Sequence, residues 1–152
     1  MARPTSRLNA GETGEGLLPE LLGYHLRRAQ LAVFADFARS MTGIDLTPGQ
    51  FGVLVRIAAN PGLTQSALGR AVGIERSTVV SVIDRLEKRG LVIRGEAIGD
   101  RRANALALSA EGQKLLRDAT RRVRMHERRI ARGLTPAEAK SLIALLQKVT
   151  RP

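Results

Sequence analysis

Polar and basic side chains interrupt an apolar pattern over residues 74–89. Four apolar residues recur at helical spacing and predict the buried side of one helix: Val79, Val82, Ile83 and Leu86. Helical geometry then turns the polar residues outward: Arg76, Ser77, Thr78, Ser81, Arg85 and Lys88. Hydroxyls and guanidinium groups bind base edges and phosphates, and Val80 can contact a thymine methyl. The alternative is an ordinary solvent-exposed helix face, on which these residue types are common.

The tripeptide Asp100-Arg101-Arg102 offers a second place for the same chemistry. A guanidinium enters a narrow minor groove because the negative potential is enhanced there, and the Asp100 carboxylate can hold a neighbouring Arg by a charge-assisted hydrogen bond. A solvated charged loop is the alternative. The tripeptide indicates DNA binding because it lies in a short predicted hairpin that directly follows the helix over 74–89.

A third polar group, Thr64, Gln65 and Ser66, lies at the predicted start of the preceding helix. The first N–H groups of a helix have no intrahelical partner, so together with short polar side chains they suit a phosphate. Thr64 acting only as a helix cap explains that residue equally well, and the two roles are compatible.

The charge balance favours a polyanionic partner. The chain of 152 residues carries 25 Lys and Arg against 14 Asp and Glu, a formal net charge of +11 at pH 7. Each phosphate that such a surface neutralises releases condensed counterions. With no cysteine and two histidines, and with neither a Gly-rich phosphate loop nor carboxylates at metal-ligand spacing, the sequence predicts no enzyme, no metal and no cofactor.

The elements that would position these groups can be followed along the chain. Apolar spacing predicts a first helix over 17–41, and Thr47-Pro48 predicts the start of a second helix that ends near Ala59. A short third helix over 65–72 and the helix over 74–89 follow, the latter ending at Gly90, where glycine can take a left-handed conformation. Two β-rich runs, 91–94 and 103–108, predict a hairpin with an exposed tip.

Several interior positions follow from the same spacing. The buried stripe of the second helix is predicted as Phe51, Leu54, Val55 and Ala58, and that of the third as Leu68 and Ala71. Ser109 is predicted to cap a basic helix over 110–132, and Thr135 with Glu138 forms a capping box for a last helix.

The order helix, helix, tight turn, helix, β-hairpin is that of a winged helix-turn-helix, whose second helix enters the major groove. We therefore predict a mainly α fold with a small β-hairpin wing. The predicted organisation is a disordered tail 1–16, a first helical region 17–46, a winged lobe 47–108 and C-terminal helices 109–152. The tail lacks a signal-peptide core and no later stretch reaches the length of a membrane span, so we expect a cytoplasmic protein without a membrane partner.

From about Leu17 to its C-terminus the chain resembles the MarR family of bacterial regulators. The matching motifs are LTPGQF at 46–51, LTQSAL at 63–68, ERSTVV at 75–80, DRLEKRGLV at 84–92, DRR at 100–102 and LSAEG at 108–112. The resemblance implies a transcriptional regulator that binds double-stranded DNA. It also implies a dimer in which the first and last two helices of each subunit intertwine around a two-fold axis.

The residues support a homodimer independently. A helix over 110–132 would be about 35 Å long at about 1.5 Å per residue, too long for one small domain to cover. The last helix carries apolar residues that need a partner: Leu142, Leu145, Leu146 and Val149. Two-fold symmetry would place two reading helices about one DNA turn apart and predicts an inverted-repeat operator.

The resemblance also implies a small anionic aromatic effector, an aromatic acid or its CoA thioester, that weakens DNA binding. The candidate effector residues come from the first two helices: Tyr24, His25, Arg28, Phe34, Phe37 and Phe51. The alternatives are that the three phenylalanines are core residues, that His25 makes ordinary hydrogen bonds and that Arg28 is an exposed charge.

Two further questions stay open in the sequence. The long helix is strongly basic, and the simpler explanation is a solvated face that adds a general DNA-attracting field. The alternative is that some of its arginines hold phosphates of a CoA-like effector or of flanking DNA. These arginines are Arg117, Arg121, Arg122, Arg124, Arg128, Arg129 and Arg132. A ligand-independent DNA-binding or chromosomal protein is the alternative to a repressor. With aromatic residues at 3% of the chain, recognition of single strands by stacking is disfavoured.

Overall fold

Helices account for most of the structure. The computed structural model describes residues 14–72, 75–97 and 100–150. Its elements are a single 3₁₀ turn (Leu18–Glu20), α1 (Leu22–Ser40), α2 (Pro48–Ala59), α3 (Gln65–Val72), α4 (Arg76–Lys88), β1 (Val92–Ala97), β2 (Asp100–Leu108), α5 (Ala110–Ile130) and α6 (Pro136–Val149). The two strands form one antiparallel sheet. The predicted class, mainly α with a small hairpin, is confirmed.

Two predicted features lie outside the described residues: most of the tail 1–16, and Ile74, the first residue of the helix predicted over 74–89. Within the described ranges, no helix is both long enough and apolar enough to cross a membrane. The chain divides into two compact units, and the boundary falls inside α1, between Phe34 and Ala35.

Side-chain caps fix three helix N-termini where they were predicted. The Oγ1 of Thr47 accepts from Gln50 N at 3.2 Å, and the N–H of Thr47 donates to Gln50 Oε1 at 3.0 Å. Thr135 and Glu138 form the same reciprocal pair at α6, and Ser109 Oγ accepts from Gly112 N at 2.9 Å at α5. Each cap satisfies N–H groups that the helix itself leaves without a partner.

The first helix is shorter than predicted. The backbone at Leu21 is extended, with φ −95° and ψ 123°, and separates the 3₁₀ turn from α1. The N–H of Leu21 closes the turn by donating to Leu18 O at 3.0 Å. The Pro19 carbonyl lies 2.8 Å from a ring nitrogen of His25 and so bonds to a side chain. The expectation of one helix over 17–41 was therefore wrong at its start.

The buried side of α2 also differs from the predicted stripe. Val53, Leu54 and Ile57 are buried, whereas Val55 and Ala58 are exposed and Phe51 is half-buried. The helix packs against α5 and β2, and this packing selects the face that contains residues 53 and 57. In α3, Leu68 is buried as predicted, but Ala71 is exposed.

The end of α4 is a Schellman motif around Gly90. The glycine has φ +69°, its N–H donates to Glu87 O at 2.8 Å, and the N–H of Leu91 donates to Leu86 O at 3.0 Å. Glycine adopts this conformation without a steric penalty. Leu86 and Leu91 are both buried, so the motif turns the chain from α4 directly into β1, as predicted.

The hairpin is joined to the segment before α3. Val92 pairs with Leu108 and Arg94 with Leu106 across the two strands. Leu106 also donates to Leu63 O at 2.8 Å, and Thr64 forms a β-bridge with Ala105. These bonds fix the root of the wing to the helical lobe.

The first turn of α5 lies directly on the corner between α4 and β1. The Ser109 hydroxyl donates to Gly90 O at 2.5 Å, and the N–H of Ser109 donates to Leu91 O at 3.1 Å. Gly112 is buried, and a Cβ added there would lie 2.0 Å from the Leu91 carbonyl oxygen. Only a residue without a side chain allows this approach.

A cluster that the sequence did not reveal joins the second half of α1 to α5. His126 is 2% exposed, and its Nδ1 lies 2.7 Å from Oδ2 of Asp36. Arg129 Nη2 donates to the same oxygen at 2.9 Å and Arg39 Nη2 donates to Oδ1 at 2.8 Å. Hydrogen bonds from Arg129, and then from His126, hold the pKa of Asp36 well below its usual range.

This cluster makes the stability depend on acid pH. Because the folded pKa of Asp36 is depressed, its contribution is complete above the unfolded pKa of about 4 and is lost as the pH falls towards the folded pKa. We expect Asp36→Asn to lower the urea midpoint of unfolding at pH 7 by more than it does at pH 3. An equal loss at both pH values would show that Asp36 acts by shape and not by charge.

Candidate nucleic-acid interface

One side of α4 is polar and open to solvent. Ser77, Thr78, Ser81, Arg85 and Lys88 are exposed, and Val80 is half-buried. The opposite side holds the helix in the core through Val79, Ile83 and Leu86, all buried, with Val82 half-buried. The division of faces agrees with the predicted one. Arg76 begins the helix, and its side chain lies outside the described part of the structure.

The N-terminus of α4 is not closed by its own cap residue. Glu75 occupies the cap position, but its side chain makes no capping hydrogen bond there. Its carbonyl accepts from Thr78 N at 3.1 Å and Val79 N at 3.2 Å. Helix N-terminal N–H groups carry a partial positive charge and attract anions.

The start of α3 combines a cap with an exposed hydroxyl. Thr64 Oγ1 accepts from Ala67 N at 3.2 Å, so the structural role weighed for this residue is confirmed. Gln65 is half-buried and Ser66 is exposed. Their contact with phosphate stays a prediction.

The strand β2 begins with the tripeptide that the sequence singled out. Asp100 pairs with Ala97 across the end of the ribbon, so Asp100, Arg101 and Arg102 lie next to the hairpin tip. The side chains of all three, together with residues 98 and 99, lie outside the described part of the chain. Their DNA contacts stay predictions.

Arg94 on β1 contacts α4 and was not predicted. Its Nη2 donates to Asp84 Oδ1 at 2.5 Å, and its Nη1 donates to Glu87 Oε2. Val92 is buried and Ile93 is exposed, so strand alternation places residues 92 and 94 on the side of the ribbon that faces α4. The alternation in the sequence could have indicated this placement, but not the two carboxylates that Arg94 meets.

A second arginine joins the end of α4 to the loop between α1 and α2. Arg89 Nη1 donates to Asp45 O at 2.7 Å, and its Nη2 donates to Ile44 O at 2.8 Å. Asp45 has φ +46°, a conformation that is uncommon for residues other than glycine. From α5, Arg122 Nη1 donates to Thr42 O at 2.8 Å, so two arginines hold this loop.

Four of the predicted effector residues lie in the first unit, and three of them, Tyr24, His25 and Arg28, bond locally. The Tyr24 hydroxyl donates to Glu15 Oε1 at 2.5 Å, and this hydrogen bond raises the pKa of Tyr24. Arg28 Nη1 lies 3.8 Å from the same carboxylate oxygen, and its guanidinium carbon lies 5.4 Å from the centre of the Tyr24 ring. His25 bonds to Pro19 as described above. Their role towards an effector stays a prediction.

The three phenylalanines differ from one another in exposure. Phe37 is buried, and its ring centre lies 6.3 Å from that of Phe51 and 5.6 Å from that of His126. Phe34 is exposed. Phe37 is therefore a core residue, which is the alternative that the sequence left open for it.

A basic cleft of about 590 Å³ opens between the end of α2, the end of β2 and α5. Its apolar lining comes from Ala58, Leu108 and Leu116, and its basic lining from Arg117, Arg121 and Arg124. The cleft is open to solvent, and Arg121 forms an ion pair with Asp118. The combination suits an amphipathic anion.

Comparison with known proteins identifies relatives that are transcriptional regulators. The model of the MarR family matches residues 44–103. A putative transcriptional regulatory protein for the hcr operon of Thauera aromatica is 39% identical over 141 residues, which cover 92% of this chain and 85% of that protein.

The solved structures of the transcriptional repressor CouR are similar over nearly the whole chain. CouR bound to a 23-mer DNA duplex is 39% identical, with a TM-score of 0.87 over 93% of this chain and 100% of that one. CouR bound to p-coumaroyl-CoA is 38% identical, with a TM-score of 0.85 over 92% of this chain and 99% of that one. The fold, the motifs and these similarities together show that the chain belongs to the MarR family.

Proposed function

We propose that the protein is a transcriptional repressor that binds double-stranded DNA at specific sequences, and that it is not an enzyme. The main support for this proposal is the exposed face of α4, which is rich in hydroxyl and basic groups and lies beside a two-stranded wing. In this proposal α4 reads the major groove, the first turn of α3 contacts phosphates, and Arg101 and Arg102 reach the adjacent minor groove. The CouR–DNA complex, with its high structural similarity, supports the assignment.

The proposed active form is a homodimer bound to an inverted repeat. In α6 no residue is buried, and five large apolar side chains are exposed: Leu142, Ile143, Leu145, Leu146 and Val149. Exposed apolar surface of this extent favours burial against a partner. Residues 17–46 and 109–152 are accordingly the proposed dimerisation regions, and 47–108 the DNA-binding lobe.

The proposed effector is an anionic aromatic compound, with a CoA thioester favoured over the free acid. The relative CouR is solved with p-coumaroyl-CoA, and the basic cleft combines an apolar lining with three guanidinium groups. Separately from the cleft, Tyr24, His25, Arg28, Phe34 and Phe51 remain proposed effector contacts. A cytoplasmic location is also proposed, since the chain has no cysteine and its proposed partner is DNA.

Footprinting on the DNA upstream of the protein's own gene tests this function. We expect protection of two half-sites related by an inverted repeat and about one helical turn apart. Adding p-coumaroyl-CoA should weaken the footprint more than adding p-coumaric acid. Uniform protection without half-sites would instead support the ligand-independent chromosomal protein.

A further inference from the structure

The contact between wing and reading helix is ionic. One guanidinium, that of Arg94, bonds to two carboxylates three residues apart on α4, those of Asp84 and Glu87. The Arg94 side chain is 23% exposed, and those of Asp84 and Glu87 are 43% and 39% exposed. The partly buried guanidinium therefore has its two hydrogen-bonding ends directed at one helix.

Stability alone does not account for this arrangement. Ion pairs with partly exposed carboxylates contribute little to folding, because water screens them. The neighbouring inner position, Val92, is buried and supplies apolar packing between β1 and the core. A guanidinium differs from an apolar residue because its two hydrogen bonds form together only at one orientation of the strand to the helix.

The orientation of the wing relative to α4 is important because this contact joins the two elements that are proposed to bind DNA, α4 and the wing. Asp84 and Glu87 belong to α4 and alternate along it with the exposed residues Arg85 and Lys88. Arg94 belongs to β1, which leads to the wing tip. Two linked contacts strengthen each other only when their spacing matches that of their two sites.

We propose that Arg94 is a positioning residue that holds the wing at the angle to α4 at which both contact the operator together. The inference rests on the proposed function. Without the two ion pairs, the wing still folds on its β ladder, but its arginines reach the minor groove only part of the time. Removing the ion pairs should therefore reduce only the part of the DNA-binding free energy that the wing contributes.

A double-mutant cycle tests this coupling. We expect Arg94→Met to weaken binding to the inverted-repeat operator about tenfold, measured by fluorescence anisotropy, with the far-UV spectrum unchanged. In a background of Arg101→Ala with Arg102→Ala, the same change should cost less than about twofold, because the wing contribution is already gone. Fully additive losses would overturn the inference.

A second variant separates position from charge. Arg94→Met also leaves two carboxylates unneutralised near DNA, and these would repel phosphates. The triple variant Asp84→Asn, Glu87→Gln, Arg94→Met removes that repulsion together with the ion pairs. Affinity that stays low in the triple variant supports positioning, whereas full recovery would show that Arg94 acts only by neutralisation.

Folding and the proposed function have their own controls. If Arg94→Met does not fold, the double variant Asp84→Ala, Glu87→Ala removes both hydrogen-bond acceptors from α4 and enters the same cycle. A wild-type protein that fails to bind any inverted repeat contradicts the proposed function. A wild-type protein that binds, with additive losses in the cycle, contradicts only the role of Arg94.

Discussion

Replacing Arg101 and Arg102 with Ala is expected to weaken operator binding about 100-fold, since each lost base or minor-groove contact costs about 1–3 kcal/mol. Both residues lie in β2 next to the hairpin tip. The apparent Kd, measured by anisotropy at a fixed salt concentration, gives the loss. The melting temperature should change little, because the ladder between Val92 and Leu108 closes the base of the ribbon.

A matched pair distinguishes a specific contact from a loss of general charge. Arg128 and Arg132 are exposed at the end of the long basic segment, and Arg128→Ala with Arg132→Ala removes the same two charges. Because both residues lie in a proposed dimerisation region, size-exclusion chromatography first checks that the control has the oligomeric state of the wild type. It should then weaken binding only to the extent that the overall field contributes. If both double variants lose affinity equally, the wing makes no contact of its own.

Gly112→Ala is expected to be the most destabilising single substitution that we consider, at about 3 kcal/mol or more. The new Cβ would lie 2.0 Å from the Leu91 carbonyl oxygen. That oxygen belongs to the backbone and accepts a hydrogen bond from Ser109 N, so it cannot move without displacing the corner between α4 and β1. Urea unfolding at pH 7 measures the change.

Gly133→Ala is the matched control for this substitution. Apart from its two chain neighbours, no atom of the described residues lies within 4 Å of a Cβ at Gly133, and its φ is not positive. We expect its free energy of unfolding to stay within about 0.5 kcal/mol of the wild type. A Gly112→Ala protein as stable as Gly133→Ala would mean that the approach of α5 to Leu91 is looser than described.

Features set by neighbours in the sequence could be predicted from it. The caps at Thr47 and Thr135 and the left-handed glycine at Gly90 depend on residues within five positions of one another. The exposed face of α4 followed from one clear apolar period. The motifs that indicated the MarR family include Thr47, Gly90 and most residues of α4, so they too are local in the sequence.

Features set by tertiary packing could not be predicted. Val53 and Val55 are equally apolar, and only the packing of α2 on α5 and β2 decides that Val53 is buried and Val55 exposed. Asp36 and His126 are 90 residues apart, and no periodicity links them. The ion pairs of Arg94 depend on the angle between a strand and a helix, which spacing along the chain does not specify.

The last helix has a consequence for how the protein folds. An isolated helix of about 12–15 residues is marginal in water, and α6, with 14 residues, buries none of them. If a second copy covers its apolar face, helix formation and association become one equilibrium that obeys mass action. The stability then has no single value, because each tenfold dilution lowers it by about 1.4 kcal/mol.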